Sequence, residues 1–154
     1  MEAMNRSIDP LGSEEQEALL KEVGALLVGA APDDWQEISL TYVSTVDRST
    51  MRTEAKRGGG AEERFPASSS IFKKMNELRW GMYIPGRGTW FSAFYAVERP
   101  NRFRVEYDYD GEPAFNLPPV SASYALDLQY FPRDEEHIPD WLRQKLREAE
   151  SGQG

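Results

Sequence analysis

Between Arg102 and Tyr109 the chain alternates without a break. Phe103, Val105, Tyr107 and Tyr109 are apolar or aromatic, and Arg104, Glu106 and Asp108 stand between them. Successive side chains of a strand point to opposite faces, so this pattern predicts a strand with one apolar and one charged face. Just upstream, Thr89–Val97 carries Trp90, Phe91, Phe94 and Tyr95, and Arg99-Pro100-Asn101 has turn chemistry. Two such runs joined by a short turn must pair antiparallel. The expectation is that this hairpin is the structural centre, with Phe103 a core ring.

The rest of the chain extends the pattern. Ile38, Leu40 and Tyr42 alternate with Ser39, Thr41 and Val43. Met51, Thr53 and Ala55 alternate with Arg52, Glu54 and Lys56, across a turn expected at Asp47-Arg48-Ser49. Gly58-Gly59-Gly60 reads as a loop tip. Helical spacing recurs four times. Ser13 opens a helix with Leu19, Val23, Leu26, Leu27 and Ala30 on one side, Gln16 completing a capping box and Pro32 ending it. Ile71, Phe72, Met75 and Leu78 mark a second helix after Ser68–Ser70. Tyr124, Leu128 and Phe131 mark a third from near Ser121, and Trp141, Leu142 and Leu146 a fourth from about Asp140. The predicted fold is α+β: an antiparallel sheet built from hairpins, helices packed on one face, and helices near both ends. Residues 1–12 read as a flexible tail and 13–150 as one domain, in keeping with a chain of 154 residues.

Composition narrows the chemistry. The chain has no cysteine and a single histidine, His137. A disulfide framework, a zinc knuckle, an iron–sulfur site and a thiol nucleophile are thereby excluded. His137 lies among Arg133, Asp134, Glu135 and Glu136, the setting of a capping or ion-pairing residue. No serine stands in a G-x-S-x-G elbow, and the triple glycine lacks the lysine and following helix of a phosphate-binding loop. Neither a catalytic residue nor a cofactor is expected. No apolar run approaches the about 20 residues that span a bilayer. Residues 1–12 carry neither the basic nor the apolar stretch of an export signal. The expectation is a cytoplasmic protein with no membrane partner.

Charge is distributed in blocks. The net charge is −8, made of −8 over Met1–Asp47, +7 over Arg48–Val105 and −7 over Glu106–Gly154. An acidic chain lacks the broad basic surface that neutralises phosphates, which disfavours nucleic acid as a partner. Within the last block, Asp108, Asp110 and Glu112 put three carboxylates at alternate positions of an extended stretch. Such a group can take a divalent cation through oxygen. The calcium-loop pattern fails here, because Pro119 stands where that loop needs its closing glutamate. A metal-dependent enzyme using residues 108–112, or a nucleotide- or nucleic-acid-binding module using the basic block, are the alternatives to a protein-binding role.

Three stretches carry a family resemblance: Met82–Ala93 (MYIPGRGTWFSA), Arg102–Asp110 (RFRVEYDYD) and Phe131–Leu142 (FPRDEEHIPDWL). Together they resemble the actinobacterial branch of the YezG-like immunity proteins, over about residues 35–146. The resemblance implies a small cytoplasmic antitoxin that binds and neutralises a cognate secreted polymorphic toxin, a nuclease or an NAD-consuming enzyme among others. It implies no catalytic residue and no cofactor. Asp108, Asp110 and Glu112 match the family's acidic strand end, which implies a toxin-facing patch.

Overall fold

The alternating segments become the sheet. In the computed structural model, which describes residues 10–152, the strands are β1 (Trp35–Thr45), β2 (Arg48–Arg57), β3 (Glu62–Arg64), β4 (Ser92–Glu98) and β5 (Arg102–Asp108). They form one antiparallel sheet in the order β3-β2-β1-β4-β5. The helices are α1 (Ser13–Ala30), α2 (Ser69–Gly81), α3 (Ser121–Tyr130) and α4 (Asp140–Glu150), with a 3-10 turn at Glu135–His137. This is the α+β class that the hairpin pattern predicts, with helices near both ends of the described chain. None of these helices is long and apolar enough to cross a membrane.

Two compact units share the chain. The first holds the described residues up to Leu40, Arg52–Met82 and Phe94–Val105. The second holds Thr41–Met51, Tyr83–Ala93 and the described residues from Glu106 on.

In the first unit, α1 and α2 pack together, and Leu20, Val23, Leu27, Ile38, Leu40, Ile71, Met75 and Leu78 are buried. Each such side chain contributes about 1.5–3 kcal/mol by leaving water. Tyr95 of β4 reaches α1, where its hydroxyl donates to the Leu20 carbonyl at 3.0 Å. A Cβ at Gly24 would lie 2.8 Å from that hydroxyl oxygen, so the small residue admits the ring. The N-cap of α1 is Gly12 rather than Ser13: the Gly12 N–H donates to Glu15 Oε1 at 2.8 Å, and glycine has no side chain to complete a capping box. Of the predicted tail, residues 1–9 lie outside the described residues. Leu11 is tied down, its N–H donating to the Gly81 carbonyl at 2.9 Å.

In the second unit, α3 packs on α4 around Phe91, Tyr124 and Leu142, joined by Leu128, Ile138 and Trp141. The Phe91, Tyr124 and Trp141 rings meet edge to face with centroids 5.4–6.0 Å apart. That arrangement suits their quadrupoles. Burial pushes the Tyr124 hydroxyl up to about 12, helped by the charges of Glu112 and Asp127.

Several expectations are corrected. β5 lies at one edge of the sheet, and Phe103 is 51% exposed. The hairpin is therefore not the structural centre: β4 is flanked on both sides but β5 is not, and the middle strand of the five is β1. β4 begins at Ser92, not Thr89. Trp90 and Phe91 precede it and are both buried, although adjacent: Trp90 packs on Tyr42 and Tyr107, and Phe91 on Tyr124 and Trp141. The first turn is Val46-Asp47, ahead of the expected position. The glycine loop closes a further hairpin, because β3 pairs antiparallel with β2 in the register Ala55 opposite Glu63.

Candidate partner-binding site

The acidic stretch after β5 is a folded turn. Asp108 Oδ1 accepts the N–H groups of Asp110 (3.2 Å) and Gly111 (2.9 Å). An aspartate turning the chain back on itself in this way is a common device. Asp110 points elsewhere: Oδ2 lies 3.1 Å from Arg87 Nη2 and Oδ1 3.3 Å from Arg133 Nη1. Glu112 faces Lys145 of α4 at 4.0 Å. The three sequence-predicted carboxylates therefore sit on one short segment, but each is directed to a different partner. All three residues are exposed, with the Asp110 side chain at 54%. Among the described residues, no group of three or more histidines and carboxylates is arranged to hold a metal ion.

Arg133 is what holds this turn in place, and nothing in the alternation patterns singles it out. Its side chain is 1% exposed. Nη2 donates to the carbonyls of Tyr109 (2.6 Å) and Thr89 (3.1 Å), and Nη1 to that of His137 (2.9 Å). The guanidinium also lies over the Phe91 ring, 5.1 Å from its centroid. A buried cation is tolerable only when its N–H groups are satisfied and a counter-charge stands near, and here the carbonyls and Asp110 supply both. Arginine suits the place because its planar fork aims several donors at fixed angles.

The Pro85-Gly86-Arg87-Gly88 stretch closes over this guanidinium. Gly88 has φ +87°, and a Cβ there would meet Arg133 Nε at 2.5 Å. Glycine alone allows both the left-handed backbone and the approach. The Asp134 N–H donates to the Gly86 carbonyl at 2.7 Å. Arg87 is carried outward to lie over the Tyr109 ring at 5.3 Å while pairing with Asp110. Burial pushes the Tyr109 hydroxyl up, and the charges of Arg87 and Arg133 partly offset this. Trp141 Nε1 donates to the Asp110 carbonyl at 2.7 Å. His137 contributes mainly its backbone; its Nε2 lies 3.4 Å from a Glu136 oxygen.

The surface of this unit mixes charge and apolar area. Ile84 is 47% exposed, Val120 57% and Leu117 71%. The last two stand in the loop after Glu112, which Arg48 braces by donating to the Leu117 carbonyl at 2.7 Å. Exposed aliphatic side chains beside a charged rim are features of protein-binding surfaces. A signal for Arg133 did exist in the sequence: it is the lone cation before the Asp134-Glu135-Glu136 run. Its partners, however, are mostly backbone carbonyls, which no residue pattern announces. No protein-family model matches the chain, and no curated protein matches it either.

Proposed function

We propose that the chain is an immunity protein that binds a cognate secreted toxin and neutralises it by covering the toxin's active site. One observation carries the reading. The three stretches that resemble the YezG-like immunity proteins lie far apart in sequence and meet around Arg133. Gly88 packs on its side chain, Tyr109 and Thr89 accept its hydrogen bonds, and Trp141 holds the Asp110 carbonyl. The three stretches thus contribute to one local construction, and that shared placement is what supports the reading.

The rim that this construction presents is acidic at Asp108, Asp110 and Glu112. A basic toxin, such as a nuclease that binds phosphates, would be steered to it, and its active-site cations would find carboxylates already held in place. The cytoplasm is where such a protein would work, protecting the cell that makes the toxin.

The reading predicts that a secreted toxin is encoded beside this chain's gene, and the test is co-expression with that toxin domain. Cells carrying both should grow, and cells carrying the toxin domain alone should not. Growth arrest in both would reject the reading. Asp108→Asn with Glu112→Gln keeps the turn, because asparagine Oδ1 still accepts the two N–H groups. That variant should protect less well if the acidic rim is the contact.

A further inference from the structure

β5 ends the sheet, and no other strand of the described chain pairs with its outer side. We infer that β5 is a self-recognising edge: two copies of this chain pair antiparallel along it, across a twofold axis at Val105, and join their sheets into one. The inference does not depend on the toxin reading.

The strand's own sequence carries it. Arg102, Arg104, Glu106 and Asp108 share one face, two cations followed by two anions, with Phe103, Val105 and Tyr107 on the other. Reversing the strand against itself about Val105 sets Arg102 opposite Asp108, Arg104 opposite Glu106 and Phe103 opposite Tyr107. Every charge meets its opposite and every aromatic meets an aromatic, and such cross-strand pairs are what stabilise a sheet. Charged residues on an edge ordinarily protect it, because a second copy brings like to like. Here the order of the charges inverts that protection.

The backbone allows this register. The Phe91 N–H donates to the Asp108 carbonyl at 3.0 Å, so that carbonyl faces β4. Alternation then turns the N–H and C=O groups of Phe103, Val105 and Tyr107 to the open side. Pairing about Val105 brings these outward groups together. Sliding one copy by two residues either way keeps the hydrogen bonds but sets Arg104 against Arg104 or Glu106 against Glu106. Only the Val105-centred register satisfies both hydrogen bonds and charge.

The side chains are accessible. Arg102 pairs with Glu98 at 2.8 Å yet is 77% exposed, and Arg104 lies 3.9 Å from Glu37 yet is 58% exposed. Either guanidinium has donors to spare for a second carboxylate. Phe103, half-exposed against Tyr95, would be covered by Tyr107 of the other copy.

The experiment is sedimentation of the full chain. The wild type should approach twice the 17.5 kDa chain mass as concentration rises, and less so in high salt. Arg104→Glu alone, or Glu106→Arg alone, sets like charges opposite twice and should sediment as a folded monomer, its folding checked by circular dichroism. Mixing the two variants restores opposite charges at both pairs and should restore the dimer. A wild type that stays monomeric at the highest soluble concentration overturns the inference. So does a dimer that survives either single change, or a mixture that stays monomeric. A second readout needs no charge change. The chain lacks cysteine, so Val105→Cys should cross-link to itself under mild oxidation, whereas Phe103→Cys, which faces Tyr107, should not. Equal cross-linking of the two would reject the register.

Discussion

Arg133 donates to the Tyr109 carbonyl at 2.6 Å from a side chain that is almost fully buried. The bond joins the segment before α4 to the end of β5 and fixes the direction in which the acidic turn leaves the sheet. Removing the guanidinium would leave the carbonyls of Thr89, Tyr109 and His137 without their donor and Asp110 without its buried partner. Arg133→Ala should cost about 3–5 kcal/mol, as breaking a buried charged network does. Arg133→Lys should recover little, because an ammonium cannot reproduce the fork. Urea melts check this; midpoints equal to wild type would show that the network stabilises nothing.

The close packing of Gly88 on Arg133 gives a second prediction. Gly88→Ala forces a left-handed backbone on a residue with a Cβ and drives that atom against Nε. The cost should be about 1–3 kcal/mol from the backbone alone, with the clash adding to it. Gly59→Ala serves as control: its φ is +99° and its Cβ would meet nothing. A Gly88→Ala loss no larger than that of Gly59→Ala would mean the contact is soft.

Phe91 and Phe103 separate what alternation reveals from what it hides. Phe91→Ala should cost about 3–5 kcal/mol, as a buried ring does. In dilute solution Phe103→Ala should cost about 1 kcal/mol or less, since half of its ring is already in water. The reverse ranking in denaturant melts would contradict the placement of β5 at the edge.

These residues also show what was legible in the sequence. Period two correctly put Phe103 on one face of a strand. Burial depends on whether a neighbour covers that face, and strand order is decided by contacts far along the chain. The helix starts at Ser13, Ser121 and Asp140 were readable from the helical spacing of the apolar residues that follow them, although the N-caps are Gly12, Val120 and Pro139, none of which makes a side-chain cap bond. β3 was not readable: Glu62, Glu63 and Arg64 are all exposed and show no alternation. Asp108, Asp110 and Glu112 were visible as a cluster. That Asp108 closes a turn while Asp110 balances a buried arginine follows only from the folded backbone.

The start of α3 is tied to α4 by Ser121 Oγ donating to Glu148 Oε1 at 2.8 Å. This bond, followed by that from Gln144, holds the Glu148 carboxyl below its ordinary value. A depressed carboxyl contributes stability that is complete above its unfolded value and fades as pH falls through the folded one. A carbon-detected NMR titration should place Glu148 below its value in the urea-unfolded chain. Ser121→Ala should move the midpoint up. An unmoved midpoint would assign the shift to another cause.

The proposal that this chain neutralises a toxin predicts a secreted toxin encoded beside its gene, and it is tested most directly by titrating the activity of that toxin domain with the purified chain. The account predicts that activity falls to background once the chain is equimolar with the toxin, and that the rate of inhibition slows with added salt. Toxin activity undiminished by an excess of folded chain would contradict it.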